Sequence, residues 1–435
     1  MSMIAKRLAS TASNTHHKVV IVGGGTAGIG AANQIIAAFK AKGKPIKPED
    51  IAIVDAAEWH NYQPGWTLVG SGLKRKSELR RPLASLVPPQ LLTLHKESVK
   101  SFEPEKNTIT TDTGRSFSYD ALVVAPGLKV KYDAVEGLVG ALADSSSGVS
   151  TIYSYDTCDK TWKDIDAFRH GNAIFTQPAG VVKCAGAPQK IMWMAWDRWR
   201  RTGRGENIKI DFISGMPTMF SVPKYSEALN ALRIERGIGG TFGHDLKSID
   251  STARKATFRA SDGKTETKEY TLLHVTPPQG PHDFVKNSPL ADAVGWVDVD
   301  PATLQHKKYP NVFSLGDASS LPTSKTAAAA MEQTPVLAAN LTRFLTSGQI
   351  SSATYDGWTS CPLLTEYGKL MLAEFKYGLK PDESFSQIYD QAVPQRAFYY
   401  MKRDLFPWAY FNHFTAGRWY GRHAFSNPQA KAYKS

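Results

Sequence analysis

The sequence predicts an α/β protein with two Rossmann-like dinucleotide-binding domains and a C-terminal amphipathic segment. Three observations predict this fold. A glycine-rich turn joins an apolar run to a helical run near the N-terminus, a second series of strand-like and helical runs begins near residue 172, and ten aromatic residues lie within 396–422. At about 150 residues per domain, 435 residues correspond to about three structural units.

The composition is that of a globular protein, with 42% apolar and 21% charged residues. The net charge of +12 favours acidic partners such as nucleic acid, anionic lipid or small anions, and composition does not choose among them. No apolar stretch reaches the roughly 18 to 20 residues of a spanning helix, so any membrane contact is predicted to be peripheral. The motifs below point to neither nucleic acid nor a metal, and we predict neither.

The segment 1–16 has the character of a mitochondrial transit segment. It contains Lys6 and Arg7, several hydroxyl side chains and no acid, and the first acidic residue of the chain is Glu49. The alternative is a frayed N-terminus, because acid-poor N-termini are common.

The first nucleotide-binding unit begins with the apolar run 18–22, a glycine turn, a helix and a second apolar run at 51–55, which is a βαβ pattern. Residues 98–112 alternate around a turn and predict a hairpin. The run 119–127 predicts a further buried strand that ends in Pro-Gly.

The glycine turn reads Gly23-x-Gly25-x-x-Gly28. The first glycine allows a tight turn, the second lets the backbone approach a pyrophosphate at the helix N-terminus, and the third lets helix and strand pack closely. Asp55 ends the next strand, where an acid can bind a ribose hydroxyl. This context predicts dinucleotide binding, whereas the isolated motif would also fit a structural turn.

The second unit contains strand-like runs at 172–178 and 208–214 with a helical, aromatic-rich run at 187–201 between them. The run 271–281 ends a further strand in a proline-rich loop. The segment 237–243 is glycine-rich but has the wrong spacing for a nucleotide turn and no apolar strand before it, so we predict a loop.

The second unit lacks the glycine motif that a nicotinamide nucleotide would require, and Cys184 stands in the corresponding turn. Two features of the first unit favour FAD instead. The run LVVAPG is similar to the segment that closes over the first nucleotide fold in flavoproteins, and NVFSLGDA is similar to the late strand in which an Asp, here Asp317, holds the ribityl chain. The alternative role of Asp317 is a helix N-cap, and the two roles are compatible.

The chain has three cysteines, Cys158, Cys184 and Cys361. Cys184 lies at a strand-to-helix junction beside Lys183, and Lys190 lies in the following helix, so its surroundings favour the thiolate. Cys361 precedes a predicted helix in which Pro362 would occupy the first turn. From this pattern alone, a redox pair and two separate structural thiols both remain open.

Several blocks of the chain closely resemble the mitochondrial sulfide:quinone oxidoreductase family, whose fold is glutathione-reductase-like. The resemblance extends from about residue 17 to residue 422, and its most specific blocks are VKCAGAPQKIMWM, HVTPPQGP, NVFSLGDASSLPTSKTAAAA, YDGWTSCPLL and MKRDLFPWAYFN. It implies FAD as cofactor, Cys184 and Cys361 as a redox-active pair, and ubiquinone as electron acceptor. The FAD contacts that it implies are Gly23, Gly25, Thr26, Ala27, Gly28, Asp55, Gln63, Val99, Asp317 and Lys325.

The resemblance also implies a domain order and a reaction. We expect an FAD-binding domain at 17–150 and 290–345, a second Rossmann-like domain at 151–289, and a C-terminal region at 346–435. Hydrogen sulfide would attack the disulfide, most readily at Cys361, and the persulfide sulfur would leave to glutathione, sulfite or cyanide. The reduced flavin would pass two electrons to ubiquinone at the mitochondrial inner membrane, and a homodimer is left open.

Two departures from the family pattern stand out. Cys158 matches no catalytic block, so we interpret it as structural, and Asp55 replaces a glutamate that many relatives carry. The alternatives to this function are a type II NADH:quinone dehydrogenase-like flavoenzyme and a flavin-binding redox sensor without turnover. The missing second glycine motif and the two cysteines weigh against both.

The aromatic stretch 396–422 resembles the membrane-docking helices of the family. Its cationic residues suit an interfacial helix pair on anionic lipid, and they are Lys402, Arg403, Arg418 and Arg422. The alternative is a buried contact with another domain or a second subunit, and the two interpretations can coexist.

Overall fold

The structure is a computed structural model that describes residues 14–422. Its strands, in chain order, are β1 (Asn14–Val22), β2 (Ile51–Val54), β3 (Trp59–Asn61), β4 (Arg80–Pro82), β5 (Thr93–His95), β6 (Val99–Glu103), β7 (Thr108–Thr111), β8 (Ser116–Val124), β9 (Lys129–Val130), β10 (Val149–Ser150), β11 (Gly171–Gln177), β12 (Ile208–Ser214), β13 (Gly239–Phe242), β14 (His244–Asp250), β15 (Lys255–Ala260), β16 (Thr265–Glu269), β17 (Leu272–His274), β18 (Gln279–Gly280), β19 (Val312–Ser314), β20 (Thr359–Glu366), β21 (Lys369–Lys376) and β22 (Lys380–Pro381). Its α-helices are α1 (Thr26–Ala41), α2 (Trp66–Val69), α3 (Leu138–Ala143), α4 (Cys158–Ala167), α5 (Ala187–Arg201), α6 (Pro223–Glu235), α7 (Asp283–Lys286), α8 (Ala327–Ser347), α9 (Arg396–Tyr400) and α10 (Phe406–Ala409).

The first sheet has the strand order β5-β2-β1-β8-β7-β6, and β19 pairs with β8. Strands β5, β2, β1, β8 and β19 run parallel. Strand β2 and residues 19–22 of β1 are buried, and helix α1 packs against both strands. Helices α1 and α8 pack against one another although about 300 residues of sequence separate them. The predicted βαβ unit and the hairpin, here β6–β7, are confirmed.

Strand β1 begins earlier than predicted. Residues 14–16, which the sequence analysis assigned to the transit segment, pair with 116–118 of β8. The rest of that segment, 1–13, lies outside the described residues.

The second sheet has the order β10-β17-β11-β12-β13 and all its strands are parallel. The predicted helix after β11 is confirmed as α5 over Ala187–Arg201. The prediction of a loop at 237–243 is wrong, because Gly239–Phe242 forms the edge strand β13. None of its residues is fully buried, so the strand lacks the apolar pattern by which it could have been identified.

The C-terminal region forms an antiparallel sheet, β20-β21-β22. The prediction of a helix after Cys361 is wrong, because Cys361 and Pro362 lie within β20 and pair with Ala373 and Leu372 of β21. The proline is tolerated because β20 is an edge strand, where a missing N–H does not interrupt a ladder.

The aromatic stretch forms one continuous helical run at 396–414 rather than the predicted pair of helices. Helices α9 and α10 alternate with two π-helical turns, Met401–Leu405 and Tyr410–Phe414. Over residues 14–422, no helix combines the length and the apolar character needed to cross a membrane.

Candidate active site

The glycine turn between β1 and α1 forms the first part of the site. A methyl group on Gly23 would collide with the backbone of Ala125, and one on Gly28 would collide with the carbonyl oxygen of Gly23. Gly25 differs, because a methyl group there would meet no atom within 4 Å. Packing therefore requires Gly23 and Gly28, whereas Gly25 leaves open space in front of the N-terminal amides of α1.

Asp55 lies at the mouth of this turn. Its Oδ2 atom accepts a hydrogen bond from Gly24 N at 2.5 Å, and Oδ1 accepts one from Ala57 N at 2.7 Å. Thr26 and Ala27 form the first turn of α1 on the other side. The acid and the helix N-terminus are thus held together, as a nucleotide site of this type requires.

Asp317 follows β19 and shares its surroundings with two lysines. Burial raises the pKa of Asp317, while the charges of Lys325 and Lys183 partly oppose that rise. Burial lowers the pKa of each lysine to about 8, and the charge of Asp317 opposes this. Lys325 Nζ donates to the carbonyl oxygen of Ser319 and lies 4.5 Å from the ring centroid of Trp296.

Gln63 and Val99, the remaining residues predicted to contact the cofactor, lie in different parts of the first unit. Gln63 Oε1 accepts a hydrogen bond from Lys183 Nζ at 2.7 Å, which links the first unit to the second. Val99 is buried at the start of β6, where it pairs with Thr111. Their contacts with a cofactor stay predictions.

The structure brings Cys184 and Cys361 together. Their Sγ atoms are 3.3 Å apart, although 177 positions separate them in sequence, and both thiols are free. Cys184 lies in the loop between β11 and α5, and Cys361 lies in β20, against which α5 packs. Lys190, in α5, places its Nζ 3.1 Å from Cys184 Sγ.

Cys184 has a backbone φ of +54°, in the left-handed region that residues other than glycine seldom adopt. Two hydrogen bonds hold this turn: Cys184 N donates to Lys325 O at 2.7 Å, and Cys184 O accepts from Ala187 N at 2.7 Å. Such conformations concentrate at functional sites, where the surrounding structure compensates their cost. The bond to Lys325 also places the sulfur pair next to Asp317 and its lysines.

The two sulfurs differ in acidity. The hydrogen bond with Cys361 lowers the pKa of Cys184 well below the usual thiol value, burial opposes this, and the charge of Lys190 lowers the pKa further. The hydrogen bond with Cys184 and burial raise the pKa of Cys361. Burial works against the charge of Lys190, but the neighbouring sulfurs raise its pKa above the ordinary lysine value. Cys184 is therefore the thiolate of the pair.

Lys402 is a site residue that the sequence analysis misassigned to lipid. The side chain is 4% exposed, and its Nζ approaches Pro64 O at 3.5 Å. The pKa of Lys402 is lowered to about 7. Burial is the main cause, the positive charge of Lys190 adds to it, and the sulfurs of Cys184 and Cys361 oppose it. The lysine faces inward because it lies on the π-helical turn at 401–405, a register that the regular helical pattern does not reveal.

Arg422 was also predicted to meet lipid, and this prediction is wrong too. Its guanidinium forms an ion pair with Asp382 at 2.6 Å, and its backbone N donates to Glu332 Oε2 at 2.8 Å. The end of the aromatic stretch is therefore anchored to the protein.

Tyr410 and His60, two residues that were not predicted from the sequence, link this stretch to the glycine turn at Thr26, which was predicted. The hydroxyl of Tyr410 forms hydrogen bonds with Thr26 Oγ1 and His60 Nε2, each at 2.7 Å. His60 Nδ1 in turn approaches Gly24 O at 2.9 Å. No local motif marks Tyr410 or His60, because their contact joins positions 350 residues apart.

Cys158 is fully buried in the first turn of α4, and its Sγ lies 3.5 Å from Tyr155 O. Burial raises the pKa of this thiol to about 12, with the charge of Asp159 adding to the rise. A buried, protonated thiol is a poor nucleophile.

The site as a whole fits a dinucleotide cofactor. The open space at Gly25, the acid after β2 and the half-buried Asp317 with its two lysines lie at the carboxyl ends of strands of the first sheet, and the sulfur pair lies at the boundary with the second sheet. Once oxidised to a disulfide, such a pair can exchange with an incoming sulfur nucleophile, because the sulfur beside the lysine leaves as a stabilised thiolate.

Residues 17–187 match the family model described as pyridine nucleotide-disulphide oxidoreductase. The chain is 48% identical to a protein named mitochondrial sulfide:quinone oxidoreductase from Schizosaccharomyces pombe, covering 96% of this chain and 94% of that protein. It is 45% identical to the protein of the same name from Dictyostelium discoideum, covering 94% and 88% respectively. Among solved structures, the sulfide:quinone oxidoreductase of Aquifex aeolicus superposes with a TM-score of 0.74 over 92% of each chain at 18% identity, which shows a common fold.

Proposed function

The chain belongs to the mitochondrial sulfide:quinone oxidoreductase family, and from this premise we propose that it oxidises sulfide at Cys184 and Cys361 and delivers the electrons through FAD to ubiquinone. The observation that carries the proposal is the pair of sulfurs 3.3 Å apart, with Lys190 Nζ 3.1 Å from one of them. A flavin is the cofactor class of this family, and the enzyme acts in mitochondria.

FAD is supported by residues at both ends of the site. The amides at Gly25 and the carboxylate of Asp55 would hold the pyrophosphate and the adenosine ribose, and Asp317 would hold the ribityl chain. Lys325 and Lys183 would face the polar edge of the ring system, since both are positioned around Asp317. When bound, the flavin supplies two-electron chemistry between the thiols and a quinone.

The sulfur chemistry follows from the unequal acidity of the two thiols. In the oxidised enzyme, Cys184 and Cys361 form a disulfide, and hydrosulfide attacks the sulfur of Cys361. The S–S bond breaks, a persulfide forms on Cys361, and Cys184 leaves as a thiolate. Cys184 is the better leaving group because its surroundings hold its pKa low.

The cycle closes on the same two sulfurs. A small nucleophile such as sulfite, cyanide or glutathione removes the outer sulfur of the persulfide and leaves Cys361 as a thiolate. The two thiolates then carry the two electrons that came from sulfide. These electrons are released when the disulfide re-forms. Lys190 stabilises this negative charge as a buried ammonium group beside the sulfurs, and Lys402 does so when it is protonated, since its pKa is lowered to about 7.

We place the enzyme on the mitochondrial inner membrane through the outer face of the helical run at 396–414. Tyr400, Leu405 and Trp408 are 45%, 37% and 55% exposed, and with Met401 they line a shallow groove of about 560 Å³. Exposed aromatic and aliphatic side chains on one face of a helix suit the headgroup boundary, where a quinone can enter from the bilayer.

The test is an anaerobic mixing experiment on purified, flavin-containing protein. Sulfide is expected to bleach the flavin, added ubiquinone is expected to restore its colour, and NADH is expected to do nothing. Acid or heat should release the flavin, and chromatography should identify it as FAD. Bleaching by NADH would instead indicate the type II NADH:quinone dehydrogenase alternative, and bleaching by neither would indicate a sensor without turnover.

A further inference from the structure

Three polar side chains meet at the carboxyl edge of the second sheet, on the side of the sulfur pair. Tyr153 follows β10, Thr276 follows β17 and Gln279 begins β18. The strand order β10-β17-β11 places their loops beside the loop after β11, which carries Cys184. We call Tyr153, Thr276 and Gln279 the polar cluster. The carboxyl edge of a parallel sheet is the usual place for a ligand.

The polar cluster contains donors that find no partner elsewhere in the protein. Tyr153 and Thr276 are 5% and 3% exposed. Within the described residues, the Tyr153 hydroxyl, the Thr276 hydroxyl and Gln279 Nε2 have no hydrogen-bond partner outside the cluster, and Tyr153 faces only Thr276 and Gln279. Buried polar groups in native proteins are nearly always paired. Three buried donors that have only one another as partners therefore point to a ligand.

The orientation of the Gln279 side-chain amide follows from its hydrogen bond with Lys183. Its Oε1 atom accepts a hydrogen bond from the backbone N of Lys183 at 2.8 Å. Because a backbone N–H can only donate, the atom that it meets must be the amide oxygen, and the NH₂ group must be the unpaired end. Lys183 Nζ lies 5.8 Å from the ring centroid of Tyr153, so a cation is also close.

The charges around the polar cluster favour an anion. Burial keeps the pKa of Tyr153 well above its ordinary value, the charges of Cys184 and Cys361 add to this, and the contacts with Thr276 and Gln279 oppose it, so its hydroxyl stays a donor. Lys190 and Lys402 are buried beside the same sulfurs. Hydroxyl and amide donors next to the buried ammonium group of Lys190 can replace the hydration shell that a small anion loses on binding.

We propose that Tyr153, Thr276 and Gln279 bind the small anionic nucleophile that attacks the sulfur pair. This inference rests on the proposed function and adds a binding site to it. Hydrosulfide, cyanide and sulfite share the required chemistry, whereas glutathione is too large for donors that are almost fully buried.

The test compares Tyr153→Phe and Thr276→Val with matched controls, Tyr270→Phe and Thr342→Val. The control residues also carry buried hydroxyls without a partner, but Tyr270 packs in a separate apolar cluster and Thr342 lies in α8. In one arm, the sulfide concentration for half-maximal anaerobic flavin bleaching is measured without acceptor. In the other arm, the KM for cyanide and for sulfite is measured at saturating sulfide.

Tyr153→Phe is expected to raise one of these concentrations about tenfold, because a hydrogen bond to a charged group is lost. Thr276→Val is expected to act in the same direction, and both controls should leave the values unchanged. A shift for sulfide identifies hydrosulfide as the occupant, and a shift for cyanide or sulfite identifies the acceptor; either supports the site. Flavin content and melting temperature should match those of the controls.

The proposal is overturned if neither arm shifts, or if the control variants shift equally. Failure of the wild-type protein to bleach with sulfide would instead refute the proposed function. If Tyr153→Phe does not fold, Thr276→Val provides the same comparison with a smaller change in shape.

Discussion

The lowered pKa of Cys184 arises from neighbours supplied by three separate segments of the chain. Cys361 donates from a strand, Lys190 lies in the following helix, and Lys402 reaches in from the aromatic stretch. Lys190 could be identified from the sequence because it lies six positions from Cys184 in the same local motif. Lys402 could not be assigned this role, because no local pattern records which side of an irregular helix faces a site more than 200 residues away in sequence.

Cys184→Ser and Cys361→Ser are each expected to lower sulfide-dependent ubiquinone reduction by about three orders of magnitude or more, since serine neither forms a disulfide nor exchanges with sulfur. The measurement is steady-state turnover at matched flavin content. Cys158→Ser is the control and should stay near wild type, because that thiol is buried and protonated. Turnover near wild type in either of the first two variants would refute the disulfide mechanism.

Lys402 makes stability depend on pH in a direction that can be checked. Burial lowers its pKa from the lysine range near 10.5 to about 7, so between these values the unfolded chain binds a proton that the folded chain does not. Stability therefore rises with pH across that window, and the buried charge destabilises the fold below it.

Relative to Lys402→Met, the wild-type free energy of unfolding should increase by about 2 to 3 kcal/mol between pH 7 and pH 9. Chemical denaturation of both proteins at several pH values measures this difference. Lys183 and Lys325 contribute with the same sign in both proteins and therefore cancel. Parallel curves for the two proteins would show that Lys402 is not buried as a neutral amine.

Glycine is needed at Gly25 and at Gly28 for different reasons, and substitutions should distinguish a role in binding from a role in packing. Gly28→Ala places a methyl group 1.8 Å from Gly23 O, so we expect it to displace α1 and to lower the melting temperature. Gly25→Ala has room for its methyl group, so the protein should fold normally but lose affinity for flavin by about tenfold or more. Flavin content and thermal unfolding of both variants are the readouts. Equal effects on folding would contradict the assignment of Gly25 to the cofactor.

At the scale of secondary structure, the sequence was informative where one element carries its own pattern. Helix α5 was predicted at its observed bounds, because its apolar side chains and its C-terminal arginines lie within a single run. The helix predicted after Cys361 failed, because Pro362 is as acceptable in an edge strand as in a first helical turn. Choosing between them required the partner strand β21, which no property of the preceding residues reveals.

The helical run at 396–414 has one face buried in the protein and one face exposed. Phe398, Tyr399, Tyr410 and Phe414 are buried, whereas Tyr400, Leu405 and Trp408 are exposed. Deleting the run would therefore remove core residues and Lys402 together with the membrane-facing surface. A test of membrane docking has to change the outer face alone.

The variant Tyr400→Ser/Leu405→Ser/Trp408→Ser is expected to lose most of its binding to vesicles that contain anionic lipid. It should keep its flavin and its bleaching by sulfide, while reduction of long-tailed ubiquinone falls more than reduction of a short-chain analogue. The control, Val139→Ser/Ile234→Ser/Val294→Ser, removes three exposed apolar side chains elsewhere on the surface. Equal vesicle binding by both triple variants would exclude this face as the docking surface.

At the scale of the whole molecule, the sulfur pair exists only when the second sheet and the C-terminal sheet are assembled against each other. Cys184 belongs to the former and Cys361 to the latter, and a disulfide between them closes a loop of 177 positions. A cross-link of that span restricts the unfolded chain strongly.

The oxidised protein is accordingly expected to be more stable than the reduced protein by about 4 to 5 kcal/mol. Denaturation curves of the flavin-free protein with and without reductant measure the difference. The flavin is removed so that its binding does not contribute to the measured stability. Cys361→Ser should show no dependence on reductant. A dependence that persists in this variant would mean that another thiol is involved.

The bond between Thr26 and Tyr410 has a consequence for biogenesis. The glycine turn between β1 and α1 is synthesised first, but the hydroxyl of Tyr410 that bonds to Thr26 is synthesised 384 residues later. Asn33, in α1, likewise donates to the carbonyl oxygen of Thr415. In a nascent or partly imported chain, the glycine turn therefore lacks the contacts that the C-terminal residues provide. Stable cofactor loading must follow the arrival of the C-terminus, so chains that are interrupted before it are expected to remain colourless and open to degradation.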